Sequence, residues 1–428
     1  MAKVTPIPLG GKPGEGKIEL PEQVQVSLHE MAGSVKQGLL AFAVAVGLEV
    51  FKTLLPEDIN TVVGEKGKHD SERTAYRHTT ERSSVVLGGR KVGINKPRVR
   101  SVAGEEMALP VWAAFSGDEL LSEMALERML AGLSTRRYPA GLKPVGDNLD
   151  QSGTGRSAVS RRFVARTHKA LDELMGKDLS ELSIVALVAD GIEVSDHSMV
   201  TALGIDAKGH KHILGLRQGT TENKTVCKDL FNDLSERGLD FSRGILLVID
   251  GGKGLKYAAK EVFSELGLIQ RCRLHKRRNV LDYLPKSEQG FIGAKLDKAW
   301  AKKDPEQALA ALKALAQKLD DTHPDAAASL REGMEETLTV TRLGLPPSLA
   351  RTLRSTNTIE SAFSVARTTM RNVTRWRDGK MVKRWTAAGL EVAQSQFRRV
   401  NGYRDLSILT AALQRHAEKV SQEGRKVA

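Results

Sequence analysis

The sequence predicts a mixed α/β protein: a mixed sheet with helices against it, an all-α insertion, and a preceding, mainly helical region that contains a β-hairpin. Three observations point there. Between Ser183 and Cys272 short apolar runs alternate with helical periodicity. After Pro285 the sheet signals stop, and Ala/Leu/Lys helical stretches such as Ala308-Leu-Ala-Ala-Leu-Lys-Ala-Leu-Ala continue to about Leu343. Near residue 90 an alternating segment is broken by Gly88-Gly89, which is a hairpin signal.

Composition bounds the reading. At 428 residues the chain exceeds the size at which one hydrophobic core stops growing, so two or three domains are expected. Sixty-five Lys and Arg against 52 Asp and Glu leave a formal charge of +13, which favours a polyanionic partner without identifying it. Two cysteines, Cys227 and Cys272, are too few for a disulfide framework or a four-thiolate zinc site, so a reducing compartment is the simpler reading. The most apolar stretch, Leu39 to Leu48, is too short to span a bilayer, and the Gly/Pro/Lys-rich start has no apolar signal region. A cytoplasmic location with no membrane span is the expectation.

Residues 1–70 read as a flexible lead followed by helices, because Val26, Leu28, Met31, Val35 and Leu39 recur at helical intervals. In residues 71–180 the hairpin carries Arg90, Lys91, Lys96 and Arg98, a basic ribbon that can lie along phosphates. Helical periodicity returns from Ser122 to Leu174. A helix starting near Ser157 would expose Ser160, Arg161 and Arg162 as the reader of a helix-turn-helix does, although solvated surface charges give the same pattern.

Residues 181–284 bring the sheet. Ile184-Val-Ala-Leu-Val-Ala suits a central strand buried on both faces and ending in Asp190. Strands from Met199 to Ile205 and from His212 to Arg217 follow, made antiparallel neighbours by a short Asp-Ala-Lys-Gly turn. A helix near Lys224 to Arg237, a strand Ile245 to Ile249 ending in Asp250, a helix about Leu255 to Leu266 and a short strand Leu268 to Cys272 complete the set. Three strands, helix, strand, helix, strand is the element order of a ribonuclease H-like mixed sheet. Residues 285–350 form the helical insertion, closed by Pro346-Pro347, and residues 351–428 hold a new helix after Ser355-Thr-Asn and further basic helices.

Asp190 and Asp250 each follow an apolar run and precede a glycine. Two carboxylates delivered to one sheet edge by neighbouring strands repel unless a cation lies between them, which suggests hard divalent ions, magnesium being the natural candidate. Each Asp alone can also be read as opening the next loop. Glu360 is the third candidate; with Asn357 as N-cap it also reads as a capping box. Arg367 and Arg371 share its helix face. Between Arg351 and Arg404 twelve Arg and Lys, including Arg375, Lys383 and Arg384, outweigh three acids, with Trp376 and Trp385 interleaved. Such a segment can follow a DNA backbone, although Trp385 reads better as core.

In order, Asp190-Gly, Asp250-Gly-Gly, Cys272-Arg-Leu-His275-Lys-Arg-Arg-Asn279 and Ser355-Thr-Asn357-Thr-Ile-Glu360-Ser resemble the mutator-type transposases of bacterial insertion sequences, members of the DDE group with a ribonuclease H-like catalytic core. Each motif alone is weak, but their order, with a helical insertion between the second Asp and the Glu, is specific. The resemblance covers roughly residues 70–405. It implies that Asp190, Asp250 and Glu360 are catalytic and hold two Mg²⁺ ions per site, with Mn²⁺ able to substitute. Cys272, His275 and Asn357 are expected to support the site; two residues of the Cys-x-x-His element cannot close a tetrahedral zinc site.

The expected chemistry is phosphodiester hydrolysis followed by transesterification on double-stranded DNA, at terminal inverted repeats and a target. Pairing two ends requires at least a dimer during reaction. Arg90, Lys91, Arg98, Arg161, Arg162, Arg367, Arg371, Arg375, Lys383 and Arg384 are the expected DNA contacts. Two other readings remain open: a ribonuclease H-like nuclease or resolvase that cuts without joining, and a DNA-binding regulator with an inactive core.

Overall fold

The computed structural model describes residues 39–68, 73–87, 90–133, 151–152, 154–219 and 223–427. The expected helices before residue 39, the Gly88-Gly89 turn and the loop of the helix-turn-helix-like segment lie outside the described residues. The chain divides into two compact units, Met1–Arg128 with Leu133–Phe163, and Met129–Gly132 with Val164–Ala428.

In the first unit helix α1 (Leu39–Val63) carries Leu48, Phe51, Leu55, Ile59 and Val63 three or four residues apart, on one helical face. That face is buried against Val85, Val92, Val99 and Trp112, and Phe51 meets Trp112 edge-on at 5.7 Å. Strands β1 (Ala75–Leu87) and β2 (Arg90–Ser101) pair antiparallel, with β3 (Gln151–Ser152) beside β2. Helices α2 (Pro110–Ser116) and α3 (Asp118–Leu130) follow β2 in the chain. On β2, side chains two residues apart share a face, so Arg90 is enclosed together with Val92. It is 3% exposed and is not offered to a phosphate backbone, which corrects the sequence expectation.

The division falls inside helix α4 (Arg156–Gly176), because its later half packs with the second unit. There Leu174 and Lys177 give their carbonyls to the Arg237 guanidinium at 3.1 and 3.2 Å.

The second unit is built on strands β4 (Ile184–Val194), β5 (His197–Asp206), β6 (Lys211–Gly219), β7 (Ile245–Ile249) and β8 (Gly267–Arg271) in the order β6-β5-β4-β7-β8. The first three are antiparallel; β7 and β8 join parallel to β4. Helices α5 (Lys224–Glu236) and α6 (Lys253–Phe263) make the crossovers. Side-chain alternation divides the sheet. Leu187, Ala189, Leu247 and Ile249 form one core with Leu230, Phe231, Leu255 and Phe263 of the two helices. Val188 and Val248, and after them the two aspartates in the same alternation, belong to the other face.

One strand differs from expectation. The sequence suggests that β4 ends at Asp190, yet its ladder with β5 runs on through Asp190↔Thr201 to Val194↔His197. The antiparallel hairpin partner continues where the parallel partner β7 has ended.

Helices α7 (Arg273–Leu281), α8 (Lys286–Trp300), α9 (Pro305–Asp320), α10 (Pro324–Arg331) and α11 (Thr339–Arg342) follow β8. Val280, Leu296, Leu312, Leu330 and Leu338 belong to a core separate from that of the sheet. The chain then returns through α12 (Pro347–Leu353), α13 (Asn357–Met370), α14 (Gly379–Ser395) and α15 (Leu406–Val427). Helix α13 lies against β4 and packs on α14 so closely that a side chain at Gly389 would meet the Ala366 backbone at 2.8 Å. No helix among the described residues is long and apolar enough to cross a membrane.

Phe231 is fully buried between the sheet and Phe263, 5.3 Å away. Phe231→Ala should lower stability by about 3–5 kcal/mol, read as a shift in urea midpoint with little change in slope.

Candidate active site

The two aspartates come together by register. Ala189 and Ile249 are the last pair of the parallel β4–β7 ladder, so the next residue on each strand is Asp190 and Asp250. Asp190 is buried, and its Oδ1 accepts from the Gly191 N–H at 2.8 Å. Asp250 is half-buried and accepts from the Gly252 N–H at 2.7 Å. Burial first, and the charge of Asp250 second, push the Asp190 carboxyl up to about 6. Between the two hydrogen-bonded residues, Gly251 sits at φ +97°, where a Cβ would also collide with the Arg271 guanidinium. The loop that presents Asp250 therefore requires glycine for two reasons.

Glu360 arrives on the same side, in the first turn of α13. The predicted capping box is absent: Thr356, not Asn357, is the N-cap residue, and its side chain makes no capping bond. Its hydroxyl instead hydrogen-bonds Glu360 Oε1 at 2.7 Å. Two bonds fix this cap one residue early. The Thr356 N–H donates to Cys272 Sγ at 3.4 Å, and the Arg273 N–H donates to the Arg354 carbonyl at 3.0 Å. Asn357 becomes the first helical residue and is exposed.

Cys272 is buried at the start of α7, with His275 one turn on. Thr356 Oγ1 is 3.3 Å from His275 Nδ1 and 3.5 Å from Cys272 Sγ, while His275 Nε2 is 3.9 Å from Glu360 Oε1. A hydroxyl has one proton; it serves best on a carboxylate, leaving the oxygen to accept from His275 Nδ1–H. The hydrogen bond to Cys272, and the charges of Cys272, Asp190 and Glu360, outweigh burial and push His275 up to about 9. Burial raises the Cys272 thiol, but hydrogen bonds from His275 and Thr356 together hold it below its ordinary range. Thr356 also neighbours Asp190, whose carboxyl it draws slightly down, so one side chain contacts Glu360 and both members of the Cys-x-x-His element and stands beside Asp190. Sequence reading took Asn357 as the N-cap and gave Thr356 no role of its own.

The donor chemistry separates two ways of holding a metal. Cys272, His275 and Glu360 bring ligand atoms within 4.8 Å of one another. That set has three members, and its sulfur is already engaged by Thr356 and His275. The two aspartates each keep an oxygen beyond the one held by a backbone N–H, and their mutual repulsion is the feature a hard cation would relieve. By donor type the acids suit a hard cation better than the Cys272 set does, but among the described residues it is Cys272, His275 and Glu360 that bring three ligand atoms within 4.8 Å of one another.

The basic residues fare unevenly. Arg367, Arg371 and Arg375 are exposed on and after α13, and Arg161 is exposed on α4, with Arg162 half-buried. Lys91 is half-buried. Arg98 pairs with Glu106 and lies 3.9 Å from Glu81, so its charge is partly met within its own hairpin region. Lys383 is half-buried, and burial lowers its ammonium. Arg384 is 5% exposed, with Nη1 donating to Thr167 Oγ1 at 3.1 Å. Its helix packs on α4, so Arg384 serves this contact and not a phosphate. Trp385 is buried, as expected, and meets Trp376 edge-on at 6.5 Å.

The profile of the family described as "Transposase, Mutator family" matches residues 23–399. The chain is 27% identical over 324 residues to the transposase for insertion sequence element ISRM5 of Rhizobium meliloti, covering 73% of this chain and 78% of that one. It is 25% identical over 334 residues to the transposase for IS256 in transposon Tn4001 of Staphylococcus aureus, covering 73% and 82%. It is 31% identical over 169 residues to the transposase for IST2 of Acidithiobacillus ferrooxidans, covering 40% of this chain and 56% of that one.

The raised Asp190 carboxyl makes a signed prediction. Its folded value of about 6 lies above the value of about 3.9 in an unfolded chain, so folding favours the neutral form. The contribution is complete below about pH 4 and is lost as pH rises through about 6. With chelator present, Asp190→Asn should gain on the wild type by on the order of 2–3 kcal/mol between about pH 4.5 and 7.5, measured by denaturant unfolding. A pH-independent difference would contradict the buried, like-charged pair.

Proposed function

The chain belongs to the Mutator family of transposases, and on that premise we propose that it binds the terminal inverted repeats of an insertion sequence and catalyses metal-dependent DNA strand cleavage and strand transfer. The observation that carries the proposal is that Thr356, which bonds Glu360, stands beside Asp190, with Asp250 following the same last registered strand pair. The strand order β6-β5-β4-β7-β8, three antiparallel strands followed by two parallel ones, supports a ribonuclease H-like reading of the core.

In this reading Asp190, Asp250 and Glu360 would hold two magnesium ions, for which manganese would substitute, and these would supply activation of the attacking oxygen and stabilisation of the leaving oxygen. The protein's own groups set the stage. The Gly191 and Gly252 N–H groups orient the two aspartates, and the Thr356 hydroxyl orients Glu360. Protonated His275, drawn to Asp190 and Glu360, offsets part of the negative charge. No side chain need become covalently attached to DNA. Arg367, Arg371 and Arg375, exposed along and beyond the Glu360 helix, are proposed phosphate contacts, as is Arg161. Residues 70–175 are proposed to recognise the terminal repeats, and pairing of two ends calls for at least a dimer. The proposed setting is the bacterial cytoplasm, where the chromosome lies.

Incubation with Mg²⁺ and DNA carrying the element's ends should yield joined as well as cut products; cuts alone would reduce the protein to a nuclease. Asp190→Ala, Asp250→Ala and Glu360→Ala should each lower both steps by about ten-thousandfold or more, with DNA affinity nearly unchanged. Thr356→Ser should keep most of the activity, whereas Thr356→Val, which leaves Glu360 without its hydroxyl donor, should lose about ten- to a hundredfold in rate at unaltered DNA affinity. Equal rates for the Ser and Val variants would remove Thr356 from the site.

A further inference from the structure

The second unit contains two neighbouring clefts, of about 630 and about 480 Å³, that share Arg351, Ser355 and Asn357 as a common wall. The larger adds Lys211, Ser361 and Arg399; the smaller adds Arg273, Arg277 and Arg354. Every charged residue on the larger lining, and every one but Asp297 on the smaller, is therefore a cation. The one acid on either, Asp297, is already paired with Arg277 at 3.3 Å.

The other cations lack such neutralisation. Lys211 stands over the Phe397 ring at 4.6 Å and Arg399 over Tyr403 at 5.1 Å. Among the described residues, no carboxylate lies within ion-pair distance of Lys211, Arg351, Arg354 or Arg399. Burial lowers the Lys211 ammonium, and burial and Arg354 lower the Arg273 guanidinium, the direction expected of cations gathered in a concave place. Arg273 is committed to the Thr337 and Trp300 carbonyls and Arg277 to Asp297, which leaves Lys211, Arg351, Arg354 and Arg399 as the cations without a carboxylate among the described residues. Spaced phosphates would satisfy them, with Ser355, Asn357 and Ser361 as neutral donors.

Two features narrow the ligand. A cleft of 630 Å³ corresponds to a cube of about 9 Å, less than the about 12 Å of a duplex major groove alone, so one strand fits better than two. The linings also offer little to bases: the one aromatic residue is Trp300, which is 5% exposed and donates its Nε1–H to Thr337 at 3.0 Å. The common wall brackets Thr356, the residue that holds Glu360.

We propose that the two clefts form one sequence-independent track for the sugar-phosphate backbone of a single DNA strand, crossing the Arg351–Asn357 wall beside Glu360. The proposal rests on the DNA-processing reading above and adds a strand whose sequence the protein does not specify. Such a strand is either the flank beyond the terminal repeat or the target.

The test uses the full chain and a fluorescent single-stranded oligonucleotide of random sequence. Arg351→Glu/Arg399→Glu should lower affinity at least about tenfold at low salt and make the salt dependence shallower by about 0.7 in log–log slope for each phosphate that the variant no longer neutralises. Arg351→Lys/Arg399→Lys should restore most of it, and Lys211→Gln gives an independent reading with less change to the fold. If the flank is the ligand, single-stranded extensions on terminal-repeat duplexes stop adding affinity in the Glu variant. If the target is the ligand, end binding persists and joining falls. Unchanged affinity and slope in correctly folded variants, with wild-type protein still cutting its ends, would overturn the track and leave the enzyme reading intact. Wild-type protein that neither binds nor cuts DNA would overturn both.

Discussion

The structure of the site is organised around the repulsion between two carboxylates that neighbouring parallel strands deliver to adjacent positions. Asp190 and Asp250 follow the last registered pair of β4 and β7, and Asp190 is withdrawn from water. An unrelieved charge there is expensive, which is why the Asp190 carboxyl is pushed up to about 6. The surroundings are arranged to moderate that charge. Backbone N–H groups approach each aspartate, protonated His275 is attracted to Asp190, and Thr356 ties the neighbouring Glu360 to the same point.

This constraint also explains how a long helical insertion can interrupt the site without dispersing it. The chain leaves the sheet at Cys272–Arg273 and returns at Arg354–Thr356, and these two crossings are fastened to each other by Arg273 N–H to Arg354 O and Thr356 N–H to Cys272 Sγ. Buried polar groups extend the fastening: Gln270 and Arg273 both donate to the Thr337 carbonyl, and Gln270 accepts from the Val340 N–H. The insertion keeps a core of its own, so its helices do not have to compete for the sheet. In this arrangement the Cys-x-x-His element acts as the joint at which insertion and sheet meet. Its small, polarisable sulfur accepts a backbone N–H in a place too enclosed for water.

Much of this was legible in the sequence because hydrophobic periodicity reports burial directly. The order of strands and helices from Ile184 to Arg271, the helical insertion, and the two aspartates after apolar runs were all visible as pattern. What pattern could not supply was partnership. The run at Ile184 to Ala189 gave no sign that β4 would continue past Asp190, because that extension depends on the hairpin with β5. Asn357 read as the N-cap, and the bonds of Thr356 to Cys272 and of Arg354 to Arg273 place the cap at Thr356 instead. Arg90 and Arg384 read as surface charges from composition, yet strand alternation and the packing of α14 on α4 enclose them. The cation-lined clefts draw on residues from Lys211 to Arg399, which no local motif could have united.

The most direct measurement of the central claim is a crystal structure of the protein soaked in Mn²⁺, with anomalous scattering used to locate the ion. The account predicts a peak coordinated by carboxylate oxygens of Asp190 and Asp250, within reach of Glu360. A peak bound by Cys272 and His275 with the aspartates left aside would contradict it, as would none near the acids at saturating ion.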